Sequence, residues 1–354
     1  MLDTLLRRRS NTDIVYMRDM LPRVSEHVPV SFSFNQSVLE ALKVDSARLT
    51  KRLRRARGTR TDLKSADDYP RYRIPTRVAA DVVYAYGCGV AGRVSAPIVY
   101  HDVFAPFWLE ADANGKVIRY KHGAIEQAAV ITTWTEHSAT VCRERFPQHA
   151  GKIRVVPPYL PRLSECFLPP QEKWPTRAAA DAVNFVFVGT EAKRKGLESV
   201  VAAWERLPPG IRQRARLTVC SALADGEVGI PPDVELRGYE PNVPALLRRS
   251  DVLVMPSRQE SYGFVYAEAA AAGCAIVATD DATRRSMLPA GGTSFVAPTD
   301  ASQIADAIRR HVEDRTYLRT AQELQYAHAL QTWSSRHVAE RHYEAFEAAR
   351  TAGA

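Results

Sequence analysis

The feature that most restricts the fold is a series of short apolar runs alternating with helix-length segments. Asp81–Tyr86 (DVVYAY), Ala96–His101 (APIVYH), Ala129–Trp134 and Ile153–Val156 read as short buried strands, with helical stretches between them around Gly123–Gln127 and Ser138–Arg145. A cleaner series follows. Strands are expected at Asn184–Val188, Arg216–Ser221, Val234–Gly238, Asp251–Met255 and Cys274–Thr279. Helices are expected at Leu197–Arg206, Asn242–Arg249, Gly263–Ala272, Gln303–His311 and after Thr316. Such alternation predicts an α/β chain, with parallel sheets covered by helices on both faces. Between the two series lies VVPPYLPRLSECFLPPQEKWP, in which Pro157, Pro158, Pro161, Pro169, Pro170 and Pro175 are expected to interrupt both helix and central strand. This passage predicts a linker with a boundary near residues 168–182. A length of 354 residues, at roughly 150 per domain, agrees with two domains. We place them at 1–170 and 171–335, with 336–354 as a last helix packing back toward the first. Two doubly wound domains offer a ligand cleft at the carboxyl ends of their strands.

Composition excludes other classes. With 45% hydrophobic and 25% charged residues the chain is an ordinary globular one, neither disordered nor collagen-like. Cys88, Cys142, Cys166, Cys220 and Cys274 are widely spaced with no CxxC pair, which argues for a reducing compartment and against a structural zinc site. Arg7, Arg8 and Arg9 are not followed by an apolar h-region, and no run approaches the ~18 apolar residues of a membrane span. These features point to the cytoplasm. The formal net charge of +8 favours an anionic partner. Seven basic residues and no acid fill Arg48–Arg60 (RLTKRLRRARGTR), with Leu49, Leu53 and Ala56 at helical spacing. This stretch reads either as a contact with the inner face of an anionic membrane or as a solvated basic helix. Nucleic acid is the weakest partner, because no aromatics interleave the basic residues.

Gly87-Cys88-Gly89-Val90-Ala91-Gly92 is a literal GxGxxG after a strand. A dinucleotide-binding helix should begin inside that motif, yet Pro97 arrives five residues after Gly92, so loop glycines are the better reading. A stronger signal is VLVMPSRQESYGFVYAEAAAAGCAIVATD at Val252–Asp280. Glu268 follows Glu260 by eight positions; were all of that chain helical, the rise would be ~12 Å, about the span from the sugar to the ribose of a nucleotide-sugar. The helix start at Gly263 offers free N–H groups and a dipole suited to phosphate. Lys193, Arg194 and Lys195, after the first strand of the second domain, could neutralise a leaving diphosphate without a metal.

Taken in order, the FVG…KG segment, Val234–Gly238, SDVLVMPS, ESYGFVYAEA and AGCAIVATD resemble the donor domain of family-4-type retaining glycosyltransferases (glycosyl transferases group 1) of the GT-B fold, from about Asn184 onward. The resemblance implies two Rossmann-like domains facing a cleft and a nucleotide-sugar donor. It implies Glu260 facing the donor sugar, Glu268 on the ribose hydroxyls, and backbone around Gly263 and Phe264 on the phosphates. Gly189, Lys193, Arg194, Lys195, Ser261 and Tyr262 would complete the donor site, with Gly238 and Tyr239 near the base. In the first half, IVYHD matches the strand that carries a histidine near the donor sugar, which makes His101 a catalytic candidate beside Glu260 and Lys195; Thr135-Glu136 sits where the family has Ser-Glu. Thr190 stands where many relatives carry arginine, and Pro158-Tyr159 replaces an Asn-Gly. The family's first strand and glycine-rich loop are not found over Asn11–Val30, so the acceptor domain is expected to be unusually built or shortened at its start.

The implied reaction moves a hexose to a hydroxyl of a glycan or lipid-linked acceptor of the cell envelope, by front-face displacement, with no metal or other cofactor. The alternatives are an inactive nucleotide-sugar-binding protein and a nucleotide-sugar epimerase on the same fold.

Overall fold

The computed structural model describes residues 21–29, 71–73, 81–86, 89–91, 95–102, 123–160, 162–178, 182–223 and 228–352. The basic stretch Arg48–Arg60, the opening arginines and Asn11–Met20 lie outside the described residues, as do Gly87, Cys88 and Gly92. The chain divides into two units, Leu160–His337 and the remainder, with Val338–Ala354 belonging to the first.

The first unit carries β1 (Arg71–Arg73), β2 (Val83–Tyr86), β3 (Gly89–Ala91), β4 (Ile98–His101), β5 (Ala128–Thr133) and β6 (Ile153–Val155). β2, β4, β5 and β6 form one parallel sheet in the order β2-β4-β5-β6. Both faces of this sheet are covered. Ile98, Tyr100, Ile131 and Ile153 pack with Ala139, Cys142 and Phe146, on and just after helix Glu136–Arg145. Val99, Val130 and Val156 pack with Ala345, Phe346 and Ala349 of the last helix, Ser335–Ala352. Neighbouring β4 residues thus feed opposite cores, as the period of two requires.

The second unit carries β7 (Val183–Val188), β8 (Ala215–Cys220), β9 (Glu235–Leu236), β10 (Val252–Met255), β11 (Ala275–Thr279) and β12 (Thr293–Val296). Its parallel sheet has the order β12-β11-β10-β7-β8-β9, which read from the other edge is the doubly wound 3-2-1-4-5-6. The central strands β10 and β11 are buried along their whole length, which is why they read as apolar runs, broken only by Thr279 at the end of β11. β9, at the edge, is two exposed residues, shorter than Val234–Gly238 predicted. Asp281, Asp300 and Asp314 cap the helices that follow them, each accepting hydrogen bonds from backbone N–H groups of the first turn.

Three expectations need correction. Gly89–Ala91 is not loop but strand β3, paired in parallel with Arg71–Arg73. Such pairing uses only backbone groups, which the glycine-rich composition does not reveal. The proline-rich passage holds two helices, Leu163–Cys166 and Pro170–Ala178. Pro170 opens the second one, where its missing N–H costs nothing. That passage is anchored in the second unit: Leu168 N donates to Ala271 O at 3.0 Å, and buried Lys173 donates to Ser250 O at 2.9 Å. The division between units therefore falls at Tyr159–Leu160, before residue 170. As expected, Glu260 sits in the loop before the helix, which is Phe264–Ala271, so the two glutamates are not joined by continuous helix. Gly263, at φ 86° in the left-handed region, ends that loop and opens the helix.

Candidate donor-binding site

In the 3-2-1-4-5-6 order the connections from β7 and β10 leave toward opposite sides, and the carboxyl ends of these two neighbours bound the crevice where such sheets bind ligands. The segment after β7 supplies Gly189, the short helix Ala192–Lys195 and Gly196; the segment after β10 supplies Pro256–Gly263. The two are stitched by backbone, Arg258 N donating to Arg194 O at 2.9 Å. Gly196 has φ 84°, and a Cβ there would run into the Pro256 carbonyl oxygen, so only glycine permits this approach. A Cβ on Gly189 would lie 2.8 Å from Lys195 Cγ, so the bare backbone at the end of β7 is the bed for the lysine stem.

That bed delivers the charge. Lys195 Nζ is bound to Glu260 Oε2, and Arg194 Nη1 reaches the same oxygen at 3.4 Å. Arg194 also donates to Gln259 O at 2.7 Å and to Glu191 Oε2 at 2.6 Å. Glu260 is 9% exposed, and its Oε1 accepts from Ser261 N at 3.2 Å. Beside it, a Cβ on Gly263 would meet the Tyr266 ring at 2.7 Å and Glu260 Cγ at 3.0 Å. No side chain caps the helix that Gly263 opens, leaving its first N–H groups to an anion.

Glu268 lies further along the same helix. Its carboxyl, half-buried, makes no hydrogen bond or ion pair with the described residues. Burial pushes its pKa up, against the pull of the Arg162 guanidinium nearby. Arg162 in turn donates to Pro241 O at 2.7 Å and pairs with Glu165 at 2.9 Å, tying the segment after Gly238 to this end of the site. Gly238 takes φ 65°, and Tyr239 beside it is 75% exposed.

The structure brings together Gly189, Arg194, Lys195, Glu260, Ser261 and Gly263, and sets Glu268 on the adjoining helix. Lys193 is exposed and has no ion-pair partner among the described residues. Tyr262 is turned into the core, its hydroxyl accepting from Trp333 Nε1 at 2.6 Å and its ring set edgewise to Phe264, so only its backbone can serve a ligand. His101 belongs to the first unit, where it ends β4 at 1% exposure, with Nδ1 2.9 Å from Thr132 Oγ1 and its ring 5.4 Å from that of Trp134. Arg162 and Arg284 escaped the sequence reading. The available signal for Arg284 was the pattern Asp281-x-x-Arg284, an N-cap followed by a cation at the facing position.

Residues 182–314 match the family model described as Glycosyl transferases group 1. The chain is 29% identical over 216 residues to the 2-deoxystreptamine glucosyltransferase of Streptomyces kanamyceticus, across 54% of this chain and 53% of that protein, so it spans about half the length of this relative. Among solved structures it resembles HepE of Anabaena in complex with UDP and glucose, with 17% identity, 75% of this chain and 77% of the other covered, and a TM-score of 0.56. It also resembles the sucrose-phosphate synthase of Thermosynechococcus elongatus, with 17% identity, 91% and 81% covered, and a TM-score of 0.60. These likenesses speak to the fold, which is that of the GT-B glycosyltransferases.

Proposed function

We propose, for a chain whose residues 182–314 fall with the group 1 glycosyl transferases, that it moves a hexose from a uridine diphosphate sugar to a hydroxyl of a glycan or lipid-linked acceptor. The anomeric configuration is retained and no metal takes part. The observation that carries this reading is the meeting of Lys195, Arg194 and Glu260 at the crevice between β7 and β10, beside an uncapped helix start.

In this reading the diphosphate lies on the N–H groups after Gly263 and takes the two cations. It thereby releases Glu260 from Lys195, and the freed carboxylate accepts hydrogen bonds from the sugar hydroxyls. Glu268 accepts from the ribose, a task suited to a carboxyl with no hydrogen-bond partner among the described residues, and the segment at Gly238–Tyr239 faces the base. The bond between the anomeric carbon and the phosphate oxygen breaks as the bond to the acceptor oxygen forms. The acceptor's proton passes to the departing phosphate, whose growing charge Lys195 and Arg194 neutralise. The UDP carrier is suggested by HepE, whose structure holds UDP and glucose.

The test is thermal stabilisation by UDP-, GDP-, ADP- and dTDP-sugars in EDTA, on the native chain and Glu268→Ala. A rise with the UDP-sugar that the variant loses supports the donor site and its independence of metal, and NMR of the product then reads the anomeric configuration. If no nucleotide-sugar raises the melting temperature, or a rise requires divalent metal, the corresponding part of the reading fails.

A further inference from the structure

Arg284 has no part in the mechanism above, yet it lies against the same loop. It sits on helix Ala282–Met287, 3% exposed. Burying a guanidinium is unfavourable unless its donors are engaged. Nη1 donates to the backbone carbonyl of Glu260 at 3.0 Å, and Nη2 is bound to the Asp281 carboxylate. Nε is buried with no partner among the described residues. Asp281 is itself held in place as the N-cap, its Oδ1 accepting from Arg284 N at 2.9 Å. Asp281 and Arg284 therefore form one unit that grips the back of the loop at the residue whose side chain faces the ligand.

The other restraints on this loop act elsewhere. Thr279 Oγ1 donates to Ser257 O at 2.6 Å, and Arg258 N is held by Arg194 O. The Glu260 carboxylate is held by Lys195 and Arg194, the cations a diphosphate would claim. Once they are claimed, the bond from Arg284 still fixes the Glu260 peptide and hence the direction of its side chain. Stability alone is a poor account of a buried arginine with an unsatisfied Nε, since an apolar side chain of similar volume would serve as well.

We propose that Arg284 is a positioning residue that sets Glu260 in the donor site through the Glu260 carbonyl. The catalytic half of this statement rests on the reading of Glu260 as the carboxylate that faces the sugar.

Three variants test it: Arg284→Met, Arg284→Lys, and Asp281→Asn, which keeps a capping side chain while removing the charge that holds Arg284. Hydrogen exchange of the ligand-free protein reads the grip directly. Amides of residues 258–262 should exchange about tenfold faster in Arg284→Met and recover in Arg284→Lys, while the central strands stay unchanged. Calorimetry with UDP and with UDP-glucose reads the consequence. UDP should bind Arg284→Met within about threefold of the native affinity, while the added affinity for the sugar is lost and kcat falls about 100-fold.

A merely structural residue would lower the melting temperature and weaken both ligands in parallel, and that result overturns the proposal. So does unchanged exchange at 258–262. If the native chain binds no nucleotide-sugar, the transferase reading fails while the exchange measurement still decides whether Arg284 holds the loop. Should Arg284→Met not fold, Asp281→Asn carries the same measurements.

Discussion

Glu260 and Glu268 stand eight positions apart and live in opposite circumstances. Glu260 lies in a loop, bound by Lys195 and Arg194 and backed by Arg284 on its carbonyl. Glu268 lies on a regular helix with no hydrogen bond to its carboxyl among the described residues, and burial holds its pKa above the usual carboxylate range. The first carboxylate has its partners supplied by the protein, and in the proposed reading it exchanges them when a donor binds. In that same reading the second takes its partners from the ribose. One motif therefore contains a preformed ionic cluster and an open acceptor, and the two should respond differently to the same change.

The largest effect is expected from breaking the first member. Glu260→Gln should lower kcat for sugar transfer by about 10³, because a carboxylate fixed at the reacting sugar is lost, while UDP affinity holds or rises as Lys195 and Arg194 become free. Steady-state kinetics beside UDP calorimetry checks this; equal losses in both would contradict it. Gly196→Ala should cost about 3 kcal/mol of stability, since the new Cβ meets the Pro256 carbonyl in a left-handed backbone. Urea unfolding measures that cost, and a near-neutral result would mean that the β7 and β10 segments do not approach as described. Lys195→Met should remove about 2 kcal/mol, less than a lone buried pair because Arg194 still faces Glu260, and it should weaken UDP as well. Glu268→Gln should weaken UDP about tenfold, leaving the turnover of bound donor nearly intact.

The smallest effect sharpens the contrast by pH. A carboxyl whose folded pKa is raised is more protonated in the folded than in the unfolded state, so its unfavourable share appears as pH rises from the ordinary carboxylate range through the raised value. Glu268→Gln should therefore raise the melting temperature by about 2 °C at pH 8 and leave it unchanged at pH 4. A gain of equal size at both values would show that Glu268 carries no buried charge.

Much of this was legible in the chain itself. β10, β11 up to Thr279, and β7 apart from Asn184 announce themselves as apolar runs because strands covered on both faces favour apolar side chains. Glu260, Gly263 and Glu268 could be singled out as candidates because a phosphate or hydroxyl site calls for charged or bare residues at close spacing along one segment, and Lys195 because it follows the first strand of the same unit. Less legible were Gly89–Ala91, whose pairing runs through backbone alone, and helix Pro170–Ala178, which opens on Pro170, where a helix accepts proline, but also runs through Pro175. Among the described residues no helix is long and apolar enough to cross a membrane.

The sequence by itself determined the alternation of strand and helix, the second unit's motif and the types of residue in its site, since these depend on local patterns of polarity and on glycine. Only the tertiary structure decided which of those residues meet. Lys195 and Glu260 are 65 positions apart, joined because β7 and β10 are neighbours in the sheet. Arg284 reaches Glu260 from 24 positions away because a helix folds its cation against the back of a loop. Tyr262, by contrast, left the site because Trp333, 71 positions on, offered its hydroxyl a partner in the core. Contacts between distant segments follow from strand order and packing, which no local pattern records.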